Sequence, residues 1–95
     1  MSRNIVLLGH MCSGHGPYAS RPNISASSIF LVDGIGVHRA GDNWAIHCVG
    51  PSCHGSTMGI GQSKFLCEGK PVAFVGDPVL CGSVCAQGNP KLTID

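Results

Sequence analysis

Large side chains are scarce in this chain: three Phe, one Trp and one Tyr among 95 residues. A domain of this length hides only roughly 60–70% of the surface its unfolded form exposes, so an apolar core by itself is a marginal support. Charge is scarce too, with eleven Lys, Arg, Asp and Glu and a formal net charge of +1. That leaves no electrostatic footprint for nucleic acid or anionic lipid. Long apolar runs are missing. The N-terminal run, residues 5–8, falls well short of a signal-peptide core, and no stretch approaches the ~20 residues of a membrane span. Helical periodicity is missing as well, because every window of suitable length is broken by Gly or Pro. These absences point to a chain made and folded in a reducing cytoplasm, where thiols stay free or bind metal. The expected class is all-β, one domain over residues 1–95.

What the chain does hold is fourteen Gly, six Pro, six Cys and five His. Glycine surrenders extra backbone entropy on ordering, so a small domain of this composition needs a staple: disulfides, a metal or a partner chain. With 43% apolar residues and so few charges, some face is expected to be covered by another protein.

Short β-type runs recur in order. Residues 29–32 lead through Asp33-Gly34, a hairpin-turn pair, into residues 37–40 and then Gly41-Asp42. Residues 65–67 lead through Glu68-Gly69 into residues 72–75 and then Gly76-Asp77. The two units superpose at a constant shift of 35 residues, placing Phe30 on Phe65, Gly34 on Gly69, Val37 on Val72 and Asp42 on Asp77. The termini supply a third copy in two halves. Residues 88–95 resemble residues 61–68, ending at Asp95 where Asp33 and Glu68 begin their turns. Residues 5–9 match residues 37–41, with His10 standing where Asp would be. Closed into a ring, the sequence becomes a pseudo-threefold domain of three short hairpins. Residues 11–28 and 42–61 read as long connections, and connections this long in a small domain tend to be functional or tied down.

Each turn delivers one soft or borderline metal ligand at nearly the same offset. His15 lies six residues past Gly9, His47 six past Gly41, and Cys81 five past Gly76. Their equivalence predicts that they converge near the axis. A structural Zn²⁺ site takes four Cys or His ligands, and His54, beside Gly55, is the natural fourth. A rival, zinc-ribbon-like set is Cys48, Cys53, Cys81 and Cys85, although neither spacing gives a Cys-x-x-Cys knuckle. Otherwise Cys12, Cys48, Cys53, Cys67 and Cys85 read as small buried hydrophobes. His38, alternating with Val37 and Arg39, reads as a half-exposed sheet residue, and Trp44 as a core or interface anchor.

Enzyme signatures are weak. Gly34-Ile35-Gly36 has no third glycine at dinucleotide-loop spacing and no following helix. The acids Asp33, Asp42, Glu68, Asp77 and Asp95 fall mostly in the repeat turns, and no triad stands out. A non-enzymatic role is expected.

The two Gly-Asp turns, the run Val72-Ala73-Phe74-Val75-Gly76-Asp77-Pro78-Val79-Leu80-Cys81-Gly82, Gly88-Asn89-Pro90 and His15-Gly16 together resemble the PAAR-repeat proteins. These are the spike tips of contractile injection machines, either type VI secretion systems or contractile phage tails. The likeness covers essentially the whole chain, departing from the family pattern at His10. It implies a small cone with one structural zinc near its point, held by His15, His47, His54 and Cys81. It further implies one copy capping a trimeric β-helical spike, VgrG-like or a phage tail spike, to aid piercing of a target envelope. The protein would be made in the cytoplasm, assembled at the spike tip and delivered through the envelope, touching it only transiently. Nucleic acid is not an expected partner, and no fused effector domain is expected.

Overall fold

In the computed structural model, residues 2–61 and 64–94 are described. The likeness of Asp95 to Asp33 and Glu68, and Gln62 and Ser63 of the compared segment, lie outside them. Among the described residues there is no helix; the strands are β1 (Arg3–Ile5), β2 (Leu31–Val32), β3 (Ile35–Gly36), β4 (Asn43–Val49), β5 (Ser52–Thr57), β6 (Leu66–Cys67), β7 (Lys70–Pro71) and β8 (Asn89–Ile94). They pair antiparallel as β1–β8, β2–β3, β4–β5 and β6–β7.

The repeat in the sequence is a repeat in space. Asp33 and Glu68 both take φ +56°, followed by Gly34 at +77° and Gly69 at +79°. Two consecutive positive φ values match the right-handed twist of a tight hairpin, which is why glycine occupies the second place. In β2–β3 Leu31 faces Gly36 and Val32 faces Ile35; in β6–β7 Leu66 faces Pro71 and Cys67 faces Lys70. Across the termini Thr93 faces Asn4 and Ile94 faces Arg3, the same register supplied by the two ends of the chain. Lys91 and Asn89 reach Asp33 at 2.6 and 3.0 Å and tie β8 to the neighbouring hairpin.

The segments that follow these hairpins meet at the axis in a closed cycle. Leu7 bridges to Val37, Arg39 to Val72, and Phe74 to Ile5. Between them the Val6 N–H donates to the Ala73 carbonyl, Ala73 to His38, and His38 to Val6, each at 3.0 Å. Side chains alternate across this ring as strand geometry requires. Ile5, Leu7, Val37, Val72 and Phe74 join the hairpin residues in one buried cluster. Val6 and Ala73 join Cys12, Trp44, Met58, Val79 and Cys85 in a second, against which Cys81 packs.

His38 is the third residue of the ring and is fully buried, not half-exposed. The alternation holds, but both faces of this extended segment are covered. Its Nδ1–H donates to the Ser25 carbonyl at 2.8 Å. Two further expectations need correction. Residues 42–61 are no mere connection, because they carry the longest hairpin, β4–β5. Cys48 and Cys53 are neither free nor buried. They are exposed near the end of that hairpin and joined in a disulfide, with Cα atoms 4.1 Å apart. Directly opposed strand positions bring two thiols within bonding reach whatever the compartment of synthesis. Cys12, Cys67 and Cys85 are buried thiols.

Each ring segment ends in an equivalent turn at Gly9, Gly41 and Gly76, with φ of +87°, +88° and +93°. The residue after each glycine folds its side chain back on the turn. The Arg39 N–H donates to Asp42 Oδ2 and the Phe74 N–H to Asp77 Oδ2, both at 2.9 Å. In the first turn the Leu7 N–H donates to His10 Nδ1, also at 2.9 Å, so a ring nitrogen does a carboxylate's work. That bond requires an unprotonated Nδ1, and burial already lowers the His10 pKa below 6.5. A group whose folded pKa is depressed contributes stability that is present above its unfolded pKa and lost as pH falls through the folded value. His10→Asp should remove this dependence. The gap in urea midpoint between wild type and variant is therefore expected to move in the variant's favour between about pH 7.5 and about pH 5. A constant gap would refute the role given to Nδ1.

Candidate metal centre

Three loops leave the turns, and each contributes to one cluster. His15 sits in a tight reversal closed by His15 N–H to the Tyr18 carbonyl at 3.1 Å and Tyr18 N–H to the His15 carbonyl at 2.9 Å. His47 on β4 and His54 on β5 are directly opposed across the hairpin. The register shifts between Trp44 and His47, a bulge that lets Trp44 enter the core while His47 faces the cluster. Cys81 lies in a turn closed by Gly82 N–H to the Val79 carbonyl and Val79 N–H to the Ser83 carbonyl.

The structure brings together His15, His47, His54 and Cys81, with one donor atom from each and all donors within 4.8 Å of one another. The three Nε2 atoms form a triangle with sides of 3.1, 3.0 and 2.7 Å. His47 Nδ1 lies 2.8 Å from the Ala19 carbonyl, which can only accept. Nδ1 therefore carries a proton, and in the neutral ring Nε2 presents its lone pair to the centre, as in metal sites where a carbonyl fixes the tautomer. Tetrahedral zinc with Zn–N of about 2.0–2.1 Å would set neighbouring nitrogens about 3.3 Å apart, so an opening of a few tenths of an ångström fits the ion. The donor set can hold a metal ion, and soft thiolate with imidazole suits a borderline cation. Partial removal from water lowers the His54 pKa, and the nearby His47 and His15 lower it further, favouring the neutral ligand form.

The surroundings favour a thiolate at Cys81. Burial pushes this thiol up, but the Ser83 backbone and hydroxyl and the Arg21 guanidinium outweigh it and leave the pKa below 9.0. Arg21 is a residue the sequence did not single out. Buried at 4% exposure, it donates from Nη2 to Cys81 Sγ at 3.2 Å, from Nη1 to Cys12 Sγ at 3.0 Å and from Nε to the Ala45 carbonyl at 2.8 Å. Its guanidinium carbon also lies 5.4 Å from the Trp44 ring centre. Tyr18 was missed as well. Its ring lies 5.0, 4.9 and 4.4 Å from those of His15, His47 and His54, and its hydroxyl meets Ser52 Oγ at 2.8 Å. Nothing local marks either residue, since their partners are up to 60 positions away.

The rival set is not assembled. Cys48 and Cys53 are consumed in their disulfide, and strand alternation turns them away from the face of His47 and His54. Cys85 is buried against Met58, its pKa pushed up to about 12 chiefly by burial. His10 and His38 are outside the cluster, engaged with Leu7 and Ser25.

Comparison with curated proteins finds no match to the chain. The profile of one family, the PAAR motif, matches residues 13–87, a span that includes all four clustered donors and two of the three equivalent turns.

Proposed function

The chain belongs to the PAAR-motif family, and from that premise we propose that it is a non-enzymatic tip. As a single domain, it would cap and sharpen the trimeric β-helical spike of a contractile injection machine. One structural zinc would be held by His15, His47, His54 and Cys81. The observation that carries this reading is the convergence of these four donors, delivered by loops from three equivalent turns of one chain.

The body suits a three-sided support. Leu31, Leu66 and Thr93 are equivalent positions of the three hairpins, and all are exposed. A single chain can thus meet three identical chains with similar edges, while the donors gather at one point on the other side of the ring. Four protein donors would close the coordination sphere, which is the pattern of structural zinc; catalytic sites keep a position for water. The carboxylates of Asp33, Asp42, Glu68 and Asp77 are engaged with Lys91, Arg39 and Arg3.

Protein purified without added metal should carry about one zinc per chain by elemental analysis, as a closed four-ligand site requires. Mixed with a trimeric β-helical spike, it should bind as one copy per trimer. Metal-free, fully folded protein would defeat the zinc assignment, and three copies per trimer would defeat the symmetry argument.

A further inference from the structure

The disulfide lies one residue from the metal cluster on both strands. In the register of β4–β5 the pair Cys48–Cys53 directly follows the pair His47–His54, and only residues 49–52 close the hairpin beyond it. Both cysteines are exposed, whereas Cys12, Cys67 and Cys85 are buried and Cys81 is half-buried against the core. A small redox reagent therefore reaches this pair first. The two histidines are also held unequally. His47 is anchored through Nδ1 to the Ala19 carbonyl, and its residue is buried; His54 is half-exposed, on the returning strand beyond the disulfide. Two-stranded ribbons are marginal in water without further support, and this end has few buried side chains to hold it.

We propose that Cys48–Cys53 is a reversible thiol–disulfide latch that holds His54 in register with His47 and so governs how firmly the ion is retained. The proposal rests on the metal reading above. The oxidant is a low-molecular-weight disulfide such as oxidised glutathione. One protein thiolate attacks a sulfur of the reagent, forming a mixed disulfide and releasing one small thiol. The second protein thiolate then attacks the protein sulfur of that mixed disulfide, closing Cys48–Cys53 and releasing the other small thiol. The two cysteines lose two protons and two electrons, and the reagent disulfide gains them. In a reducing compartment the latch would stand open, and it would close once the chain meets an oxidising medium.

The test follows transfer of zinc from the full chain to a chromophoric chelator, before and after mild reduction with a phosphine, which adds no competing thiol. Misplacing the support of a ligand typically weakens metal binding by about 10–100-fold. Reduction should therefore speed transfer about tenfold or more. The double variant Cys48→Ser, Cys53→Ser should show the fast rate with or without reductant. Alkylation and mass spectrometry of the reduced, undenatured protein should label Cys48 and Cys53 ahead of the buried thiols. Equal transfer rates in both redox states, or labelling of the buried thiols first, would overturn the latch while leaving the metal site standing. Oxidised protein that carries no zinc would bring down both.

Discussion

Cys81→Ser is expected to abolish zinc retention and to lower stability by several kcal/mol, the largest effect of any single side chain at the metal centre. The sulfur is the one anionic donor of the set, and Ser83 and Arg21 already favour its thiolate. A serine hydroxyl in its place stays protonated and is a poor zinc ligand, leaving three neutral imidazoles around a dication. The same change exchanges the anionic acceptor facing Arg21 Nη2 for a neutral hydroxyl, in a guanidinium with little access to water. Structural zinc contributes on the order of 10 kcal/mol to small metal-dependent folds, comparable with the whole stability of a domain, ~5–15 kcal/mol. Urea unfolding with and without a strong chelator checks this. Wild type should fall to the level of the variant when chelator is added, and the variant should not respond. If the two unfold alike in the absence of chelator, Cys81 holds no ion that matters to the fold.

The ring was legible in the sequence because each of its repeating steps depends on a residue with special backbone freedom. Gly34 with Gly69, and Gly41 with Gly76, stand at positive φ where few other residues sit, so their spacing survives in the chain as a visible shift of 35. Gly9, Gly41 and Gly76 likewise fixed the offsets from which His15, His47 and Cys81 could be nominated. Hairpin β4–β5 was not legible. Ser52–Thr57 is Ser, Cys, His, Gly, Ser and Thr, with no apolar alternation, because this ribbon lends only Trp44 to the buried cluster and gives His47 and His54 to the metal centre. Arg21 and Tyr18 were invisible for a different reason. A lone Arg or Tyr in a Gly/Pro/Ser-rich stretch has no periodicity to mark it, and its meaning appears only when Cys12, Cys81 and the three histidines arrive from elsewhere. Asn23 is the same case. Its side chain accepts from the Gly9 N–H at 3.1 Å and donates to the Leu7 carbonyl at 2.9 Å. At the equivalent turns the Gly41 and Gly76 N–H groups donate instead to the backbone carbonyls of Met58 and Cys85.

Asp42→Ala should destabilise the fold by about 3–5 kcal/mol, more than the same change at either equivalent turn, because only there does the turn residue also neutralise a buried cation. Asp42 receives Arg39 Nε and Nη2 at 2.9 Å each, besides the Arg39 N–H. Arg39 occupies the ring position filled by Leu7 and Phe74 in the other units, and it is itself buried. Burial pushes the Asp42 carboxyl up, but the Arg39 side chain and N–H outweigh it and hold the pKa below 3.8. Without Asp42, Arg39 keeps, among the described residues, Glu68 Oε1 at 2.9 Å, on a side chain that is 38% exposed and shared with Ser27 at 2.6 Å. Asp77→Ala loses its turn bond and an ion pair at 2.6 Å with Arg3, whose side chain is 26% exposed and can turn to water. His10→Ala loses only an acceptor for one N–H, a step of about 1–3 kcal/mol if that group stays dry. The expected order of loss is Asp42, then Asp77, then His10, read from urea midpoints of the three alanine variants at neutral pH. A double variant, Arg39→Leu with Asp42→Ala, should recover part of the Asp42 loss, since leucine already serves at the equivalent position 7. If instead the two changes simply add, the buried charge is not what makes this turn different from its two counterparts.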